Sequence, residues 1–502
     1  MAALVDLAEF QNRAVSNYGS GDRCHLGHVL LQSLADHPEV INQINAATGQ
    51  QETNAEVLRR SVRLARAMRA RGLRPGDVLA LAGPNHLDLC VPYYAAHYNG
   101  LPVLGIDPTF KYDEIKAALS LSKPKIIFFQ KEDLKNYEEA LKSLSLNAKV
   151  ITFHEGECTM EDFINKYSTD EDVNNFKAAD FDPDQVFSWL MSTSGSTGVP
   201  KVVAFTGRVV FDASISYMKS LLNQRRGTYL LLSPVQWMSG YFITLSAPLT
   251  GTTVLKTSVT ATTEHIVDII NKYKPNFTMF SPPTITQILK HLDCDLSCFD
   301  LINIGGSKVY KDLITDLKSR TKGKIVEFYG QTDACMGILY PFPGTPLGSC
   351  GKALPQYELK LVDPETNKEI SEPNVPGELQ VKGPIFSGYY NDPEETAKAF
   401  TEDGWFKTGD LLSRDENGFY YIVERIKMLI KWKSYHVHTA THGDWQIQWS
   451  YKCVAGLLGM NNISNEEESG SPGFALNERK GNEIQRLYYG RVWHLTDMRL
   501  GS

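Results

Sequence analysis

At 502 residues, with 42% hydrophobic and 22% charged side chains, the chain is long enough for two or more domains with buried cores, and its composition speaks against a disordered or fibrous protein. A net charge of −7 argues against a generally basic surface for nucleic acid, leaving at most a local patch. Nowhere does an apolar run approach the roughly 20 residues that cross a bilayer.

Met1 to Asn17 mixes acidic and polar residues and lacks the charged-then-apolar order of a signal peptide. Cys24-His25 with His28, and later Cys294 with Cys298, have no second ligand pair at structural-zinc spacing and read as packing. The eight cysteines read as reduced thiols. Thr53 and Glu56 form a capping-box pattern ahead of Val57, Leu58, Val62, Leu64, Ala65 and Met68, and Gly72 closes the run, which predicts a helix with one apolar face. Val78 to Ala82 predicts a buried strand ended by Gly83-Pro84-Asn85, and Leu89 to Tyr98 a helix before Gly100. Strands at Val103 to Ile106, Ile126 to Phe129 and Val150 to Phe153 continue an alternation that predicts parallel sheets covered by helices. From Phe163 to Asp184 the chain is polar and acidic, as a solvated loop or surface helix would be.

Ser192-Thr193-Ser194-Gly195-Ser196-Thr197-Gly198-Val199-Pro200-Lys201 follows the apolar run Val186 to Met191 and precedes Val202 to Phe205, which predicts a loop between two strands. Gly195 and Gly198 permit a tight turn and close approach to a ligand. The hydroxyls of Ser192, Thr193, Ser194, Ser196 and Thr197, with free N–H groups and Lys201, suit a polyphosphate. The pattern is not GxxxxGK[ST] entering a helix, because Pro200 and Val202-Val203 point to a strand. A Gly/Ser linker is the competing reading, and it rarely lies between apolar strands. Further on, Tyr229 to Ser233 predicts a strand ending at Pro234, just before Trp237. Ile302 to Ile304 runs into Gly305-Gly306-Ser307 and Ile325 to Phe328 into Tyr329-Gly330, which puts glycines beyond strand carboxyl ends, where parallel sheets bind ligands. Gly351 to Gln380 reads as a β-rich subdomain, Asp392 to Phe400 as a short capped helix, and Tyr420 to Val423 as a strand.

Taken with Tyr329-Gly330-Gln331-Thr332-Asp333, Gly404-Trp405-Phe406-Lys407-Thr408-Gly409-Asp410 and Arg425-Ile426-Lys427-Met428-Leu429-Ile430-Lys431, the Ser/Thr/Gly loop resembles the adenylate-forming, AMP-binding superfamily. The branch in view holds insect acyl-CoA synthetases, 4-coumarate-CoA ligases and firefly-type luciferases. The resemblance runs from about Leu26 to His438. It implies an α/β fold: a large N-terminal domain (1–424) of two helix-covered sheets plus a β-rich subdomain, a hinge and start of a lid (425–438), and a truncated or aberrant small C-terminal domain (439–502).

By the same resemblance Lys201, Thr332 and Lys431 are the catalytic residues, Thr332 on the α-phosphate and Lys431 on the adenylate after the lid turns. Gly305, Gly306, Tyr329 and Gly330 frame the adenine and substrate, and Asp410 accepts from both ribose hydroxyls, as a carboxylate at a Gly-Asp corner can. Arg425 reaches ribose or phosphate, and Lys427 is the hinge. Trp237, Gly306 and Ser307 line the acyl pocket, although Trp237 reads equally as a core aromatic. Asp333 stands where the family has Glu and is the expected Mg²⁺ ligand, directly or through one water. ATP, Mg²⁺ and CoA are the implied cofactors, and the partners are a small carboxylic acid, ATP and CoA, with no nucleic acid and no transmembrane segment.

After Tyr435-His436-Val437-His438 the resemblance stops, and Asn461 to Gly473 is polar and rich in Gly and Ser. The family's terminal Gly-Lys lysine has no counterpart, and the only echo of its motif, Gly481-Asn482-Glu483, would put an acid there and reads as coincidence. Losing one such transition-state contact costs about 3–4 kcal/mol, roughly 10² to 10³ in rate. The expected activity is an ATP-dependent acyl-CoA ligase of the fatty acid or phenylpropenoate type, impaired by that loss. A nucleotide- or acyl-binding pseudoenzyme, or a truncated gene product, is the second reading, and a luciferase-like monooxygenase the third. Many relatives are peroxisomal, but Arg499-Leu500-Gly501-Ser502 is not a Ser-Lys-Leu address, so the expected location is cytoplasmic.

Overall fold

The structure is a computed structural model that describes residues 7–19, 21, 23–169, 171–193, 201–221, 227–307, 309–335 and 337–426, and two short strands at 430–432 and 435–437. The described chain separates into two compact units. The first runs through Lys360 and takes in Gln380–Thr408 and Arg414–Tyr421; the second holds Leu361–Leu379, Gly409–Ser413 and residues from Ile422.

Two seven-stranded sheets build the first unit. In one, Phe187–Thr193, Val103–Ile106, Leu79–Ala82, Ile126–Phe129 and Lys149–Thr152 lie parallel in that order. Lys201–Thr206 and then Gly388–Tyr389 extend it antiparallel beyond Phe187–Thr193. Every side chain of Leu79–Ala82, Val103–Ile106 and Ile126–Phe129 is buried, as parallel strands covered on both faces require. The other sheet runs Lys324–Glu327, Leu301–Ile304, Phe277–Phe280, Thr228–Leu230, Thr253–Lys256 and Ile41–Asn45, all parallel, and closes with the antiparallel Gln51–Thr53. The resulting α/β architecture of helix-covered parallel sheets is the one the alternation predicts. A four-stranded sheet of Glu358–Val362, Gly377–Lys382, Phe406–Arg414 and Tyr420–Arg425 supplies the β-rich part.

Local chemistry accounts for the element ends. Asn54–Ala70 starts on the expected capping box: the Glu56 N–H donates to the Thr53 hydroxyl at 3.3 Å, and the Thr53 N–H donates to the Glu56 carboxylate at 2.7 Å. Cys90–Asn99 is buried on every side, so this helix is core and not a surface layer. It stops at Gly100, which takes the left-handed conformation (φ 66°) and whose Cβ, if present, would lie 2.6 Å from the Phe181 ring. Met238–Thr250 ties the two sheets together. From it the Tyr241 hydroxyl reaches the Val103 carbonyl at 2.9 Å, and the Tyr241 and Thr244 carbonyls accept from the Tyr93 and Tyr94 hydroxyls at 2.9 and 2.7 Å.

Several expectations move. The helix expected from Leu89 begins as a 3₁₀ turn, Leu87–Leu89, before Cys90–Asn99. The strand expected over Tyr229 to Ser233 pairs only over Thr228–Leu230, since the chain then turns through Pro234 into the next helix. Of the acidic stretch only its start is helical, as the end of Met160–Tyr167, which Thr159 caps, and it later forms one 3₁₀ turn, Val173–Asn175. His25, whose ring caps Leu26–Asp36 by accepting from the Gly27 N–H at 3.1 Å and lies 2.9 Å from the Ala179 carbonyl, is a packing residue. Burial pushes the thiols of Cys294 and Cys298 up to about 11, which keeps them protonated. No helix among the described residues is long and apolar enough to cross a membrane.

Candidate active site

Phe187–Thr193 and Lys201–Thr206 pair antiparallel, with Ser192 opposite Val202 and Thr193 opposite Lys201, so the Ser/Thr/Gly segment does join two strands. Ser194, Gly195, Ser196, Thr197 and Gly198 lie outside the described residues, as does the side chain of Thr193. At the root of the segment the Ser192 hydroxyl is buried without a hydrogen-bond partner among the described residues. A buried donor left unpaired costs about 1–3 kcal/mol, so this oxygen suits a polar ligand.

Lys201 begins the second strand, and its ammonium lies 4.6 Å from the centre of the Tyr389 ring. The ring reaches it because Gly388–Tyr389 pairs with the same strand, Gly388 opposite Ala204 and Tyr389 opposite Val203. Lys201 is also ion-paired with Glu395. Glu395 occupies the first turn of Pro393–Ala399, where its N–H donates to the Asp392 side chain at 3.0 Å and its carboxylate accepts from Lys398 at 2.6 Å. Hydrogen bonds from Lys201 and Lys398 hold the Glu395 carboxyl down to about 2. The Tyr389 hydroxyl donates to Asp333 at 3.1 Å, while the Asp333 carbonyl accepts from the Phe386 N–H at 2.8 Å. Burial, and then the Asp333 charge, raise the tyrosine pKa, so the hydroxyl stays a donor. Lys201 and Asp333, 132 positions apart in sequence, are thereby placed on one short relay. Glu395 and Tyr389 were missed as site residues. A glutamate at the third position of a capped helix is the only sequence signal for the first, and it points to capping.

Tyr329 is buried, and Thr332 opens a one-turn 3₁₀ helix, Thr332–Ala334. Between them the Gln331 side-chain amide donates to the Tyr329 hydroxyl at 3.2 Å and to the Thr408 carbonyl at 2.9 Å, which ties Tyr329-Gly330 to the strand leading to Gly409. Gly306 (φ 94°) is open, with nothing within 4 Å of a built Cβ, and Ser307 beside it is exposed. At Gly305 the Phe328 ring lies 2.9 Å from where a Cβ would be, so a side chain at this position would meet that ring. Trp237 is 60% exposed at the start of Met238–Thr250, so it is not a core aromatic. Its neighbour Gln236 is bonded through its amide nitrogen to Asp107, and its buried carbonyl oxygen has no partner among the described residues.

In the second unit Asp410 is 5% exposed and accepts from the Arg425 Nε at 2.8 Å. Gly409 and Asp410 lie within the strand Phe406–Arg414, where a free corner was expected, yet Gly409 has φ 69° and so bends the strand there. The Gly409 N–H donates to Glu378 at 3.1 Å. Lys431 is on Ile430–Trp432, paired opposite His436 of Tyr435–Val437. Lys427 lies outside the described residues.

Glu327, two residues before Tyr329, has its carboxyl pushed up to about 7 by burial. The folded chain therefore holds a proton there that the unfolded chain, near pKa 4.5, has released, and stability falls as pH rises from about 4.5 to 7. Glu327→Gln is expected to match the parent at pH 4 and to exceed it by up to about 3 kcal/mol at pH 8, measured by urea unfolding at both values.

A family profile described as AMP-binding enzyme matches residues 31–390. A luciferin 4-monooxygenase of Photuris pensylvanica is 30% identical over 451 residues, covering 86% of this chain and 81% of that protein. 4-Coumarate-CoA ligase-like 1 of Arabidopsis thaliana is 28% identical over 440 residues, covering 84% of this chain and 79% of its own. Among solved structures, the luciferase-like enzyme from the nonluminescent Zophobas morio mealworm superposes with a TM-score of 0.73 at 28% identity, over 82% of this chain and 97% of that one.

Proposed function

The chain belongs to the AMP-binding enzyme family, in its luciferase and 4-coumarate-CoA ligase branch, and from this we propose that it joins a carboxylic acid to CoA at the expense of ATP. The observation that carries the reading is the relay of Lys201, Tyr389 and Asp333, which presents a cation and a carboxylate on neighbouring backbone in the first unit. A triphosphate needs such a pair: an ammonium for its oxygens and a hard oxygen ligand for the metal that accompanies it. Asp333 fits Mg²⁺ by donor type, and the metal, when bound, offsets charge on the departing pyrophosphate.

In the first step a carboxylate oxygen bonds to the α-phosphorus, the bond from that phosphorus to the bridging oxygen breaks, and pyrophosphate leaves with the electron pair. Lys201 turns from Glu395 to the phosphate, the Ser/Thr hydroxyls from Ser192 to Thr197 donate to it, and Thr332 contacts the α-phosphate. Tyr329, Gly330 and Gly306 bound the adenine, and Asp410 with Arg425 takes the ribose. In the second step the CoA sulfur attacks the acyl carbonyl and AMP leaves, with Lys431 facing the adenylate after rotation about Lys427. Residues 1–424 are proposed as the adenylation domain, 425–438 as the hinge, and 439–502 as a tail without the lysine that speeds the first step in the family. Trp237 and Ser307 border the acid, and Phe328 narrows its pocket from the Gly305 side.

The test is incubation of the full chain with ATP, Mg²⁺, CoA and fatty or phenylpropenoic acids, with mass spectrometric detection of acyl-CoA and AMP. Thioester formed in step with AMP supports the ligase. Oxygen uptake and light with luciferin, and no thioester from any acid, would favour the monooxygenase.

A further inference from the structure

His86, Asp88 and His154 form a cluster that the ATP chemistry does not use. His86 is on the loop after Leu79–Ala82, Asp88 is in the 3₁₀ turn Leu87–Leu89, and His154 follows Lys149–Thr152, so all three lie beyond the carboxyl ends of parallel strands of the first sheet. One ligand atom from each lies within 4.8 Å of the other two. Asp88 Oδ2 is 3.3 Å from Nδ1 of His154 and 3.9 Å from Nδ1 of His86. Two ligands bound to one tetrahedral zinc at 2.0–2.1 Å are about 3.3 Å apart, so small side-chain rotations bring all three into range.

His86 gives the independent reason to expect a ligand. It is 5% exposed, and neither of its ring nitrogens has a hydrogen-bond partner among the described residues. Its ring is held edge-on against Phe153 at 4.4 Å and beside His154 at 5.0 Å, so it is placed by packing without satisfying its polar atoms. Asp88 is oriented by Arg60 through its other oxygen, and Glu52 balances that arginine, which leaves Oδ2 facing the histidines.

We propose that His86, Asp88 and His154 bind one divalent transition-metal ion of the Zn²⁺ class, which clips the loop after Leu79–Ala82 to the end of Lys149–Thr152. Two imidazoles and one carboxylate suit Zn²⁺, Co²⁺ or Ni²⁺, whereas Mg²⁺ takes oxygen ligands, so this site is separate from the metal that accompanies ATP. His154 is half exposed and leaves the fourth position to water.

The experiment uses chelator-stripped full chain titrated with Co²⁺ and then Zn²⁺ without nucleotide, for the parent, His154→Ala and His86→Gln. The expected result is a visible Co²⁺ absorption band at one equivalent in the parent, displaced by Zn²⁺ and unaffected by millimolar Mg²⁺. His154→Ala, at an exposed position, is expected to keep the parent's metal-free melting temperature and to bind at least tenfold more weakly. A band of equal strength and affinity in both variants would assign the metal to other histidines or cysteines and overturn the proposal, as would no band in the parent. Neither result bears on acid-dependent chemistry with ATP and Mg²⁺.

Discussion

Asp410→Ala is expected to weaken ATP binding by about 10²-fold or more, because in its proposed role this buried carboxylate accepts two ribose hydroxyls, each a charged hydrogen bond of about 1.5–3 kcal/mol. The burial of Asp410 and its 2.8 Å bond from Arg425 Nε fix the carboxylate before any nucleotide arrives. Arg425, 59% exposed, is a weaker determinant, and Arg425→Ala should cost less than Asp410→Ala. The decisive comparison is ATP against 2′-deoxy-ATP, titrated by fluorescence. The parent should prefer ATP, and Asp410→Ala should bind both equally. A variant that loses stability yet keeps the preference would make Asp410 a structural partner of Arg425 and nothing more.

Lys201→Ala is expected to slow adenylation by about 10² to 10³, the usual effect of removing one preorganised charge from a phosphate in the transition state. In the nucleotide-free chain the ammonium is shared between Glu395 and the Tyr389 ring, so phosphate competes with a carboxylate for it. Glu395→Gln removes the competitor and should tighten ATP binding by up to about fivefold, the modest gain expected from freeing one solvent-screened ion-pair partner. The two substitutions therefore act in opposite directions on one lysine, which stopped-flow binding and single-turnover AMP formation can read separately. Equal losses in both would mean that Glu395 positions Lys201 for phosphate.

The sequence carried the parallel sheets because their central strands, such as Leu79–Ala82 and Ile126–Phe129, are short apolar runs bounded by turn residues, and burial on both faces writes that pattern directly. It carried the strand–loop–strand frame of Ser192 to Lys201 for the same reason. The relay was not legible. Tyr389 meets Lys201 through a two-residue strand whose pairs, Gly388 with Ala204 and Tyr389 with Val203, span 184 and 186 positions of sequence, and so short a strand has no periodicity of its own. Phe328 over Gly305 was hidden as well, since a glycine reports that backbone can be approached and not which side chain approaches it. Trp237 looked the same from sequence whether buried or exposed, because an aromatic beside a turn suits both. Gly409-Asp410 looked like a free turn, and only the positive φ of Gly409 inside a paired strand shows how bend and strand coexist.

The most direct test of the central claim is acid-dependent exchange of labelled pyrophosphate into ATP, catalysed by the full 502-residue chain with Mg²⁺ and a mixture of fatty and phenylpropenoic acids. Exchange that requires an added acid and disappears in Lys201→Ala is the predicted result. Tight ATP binding with no exchange for any acid would contradict the account and make the chain a nucleotide-binding protein.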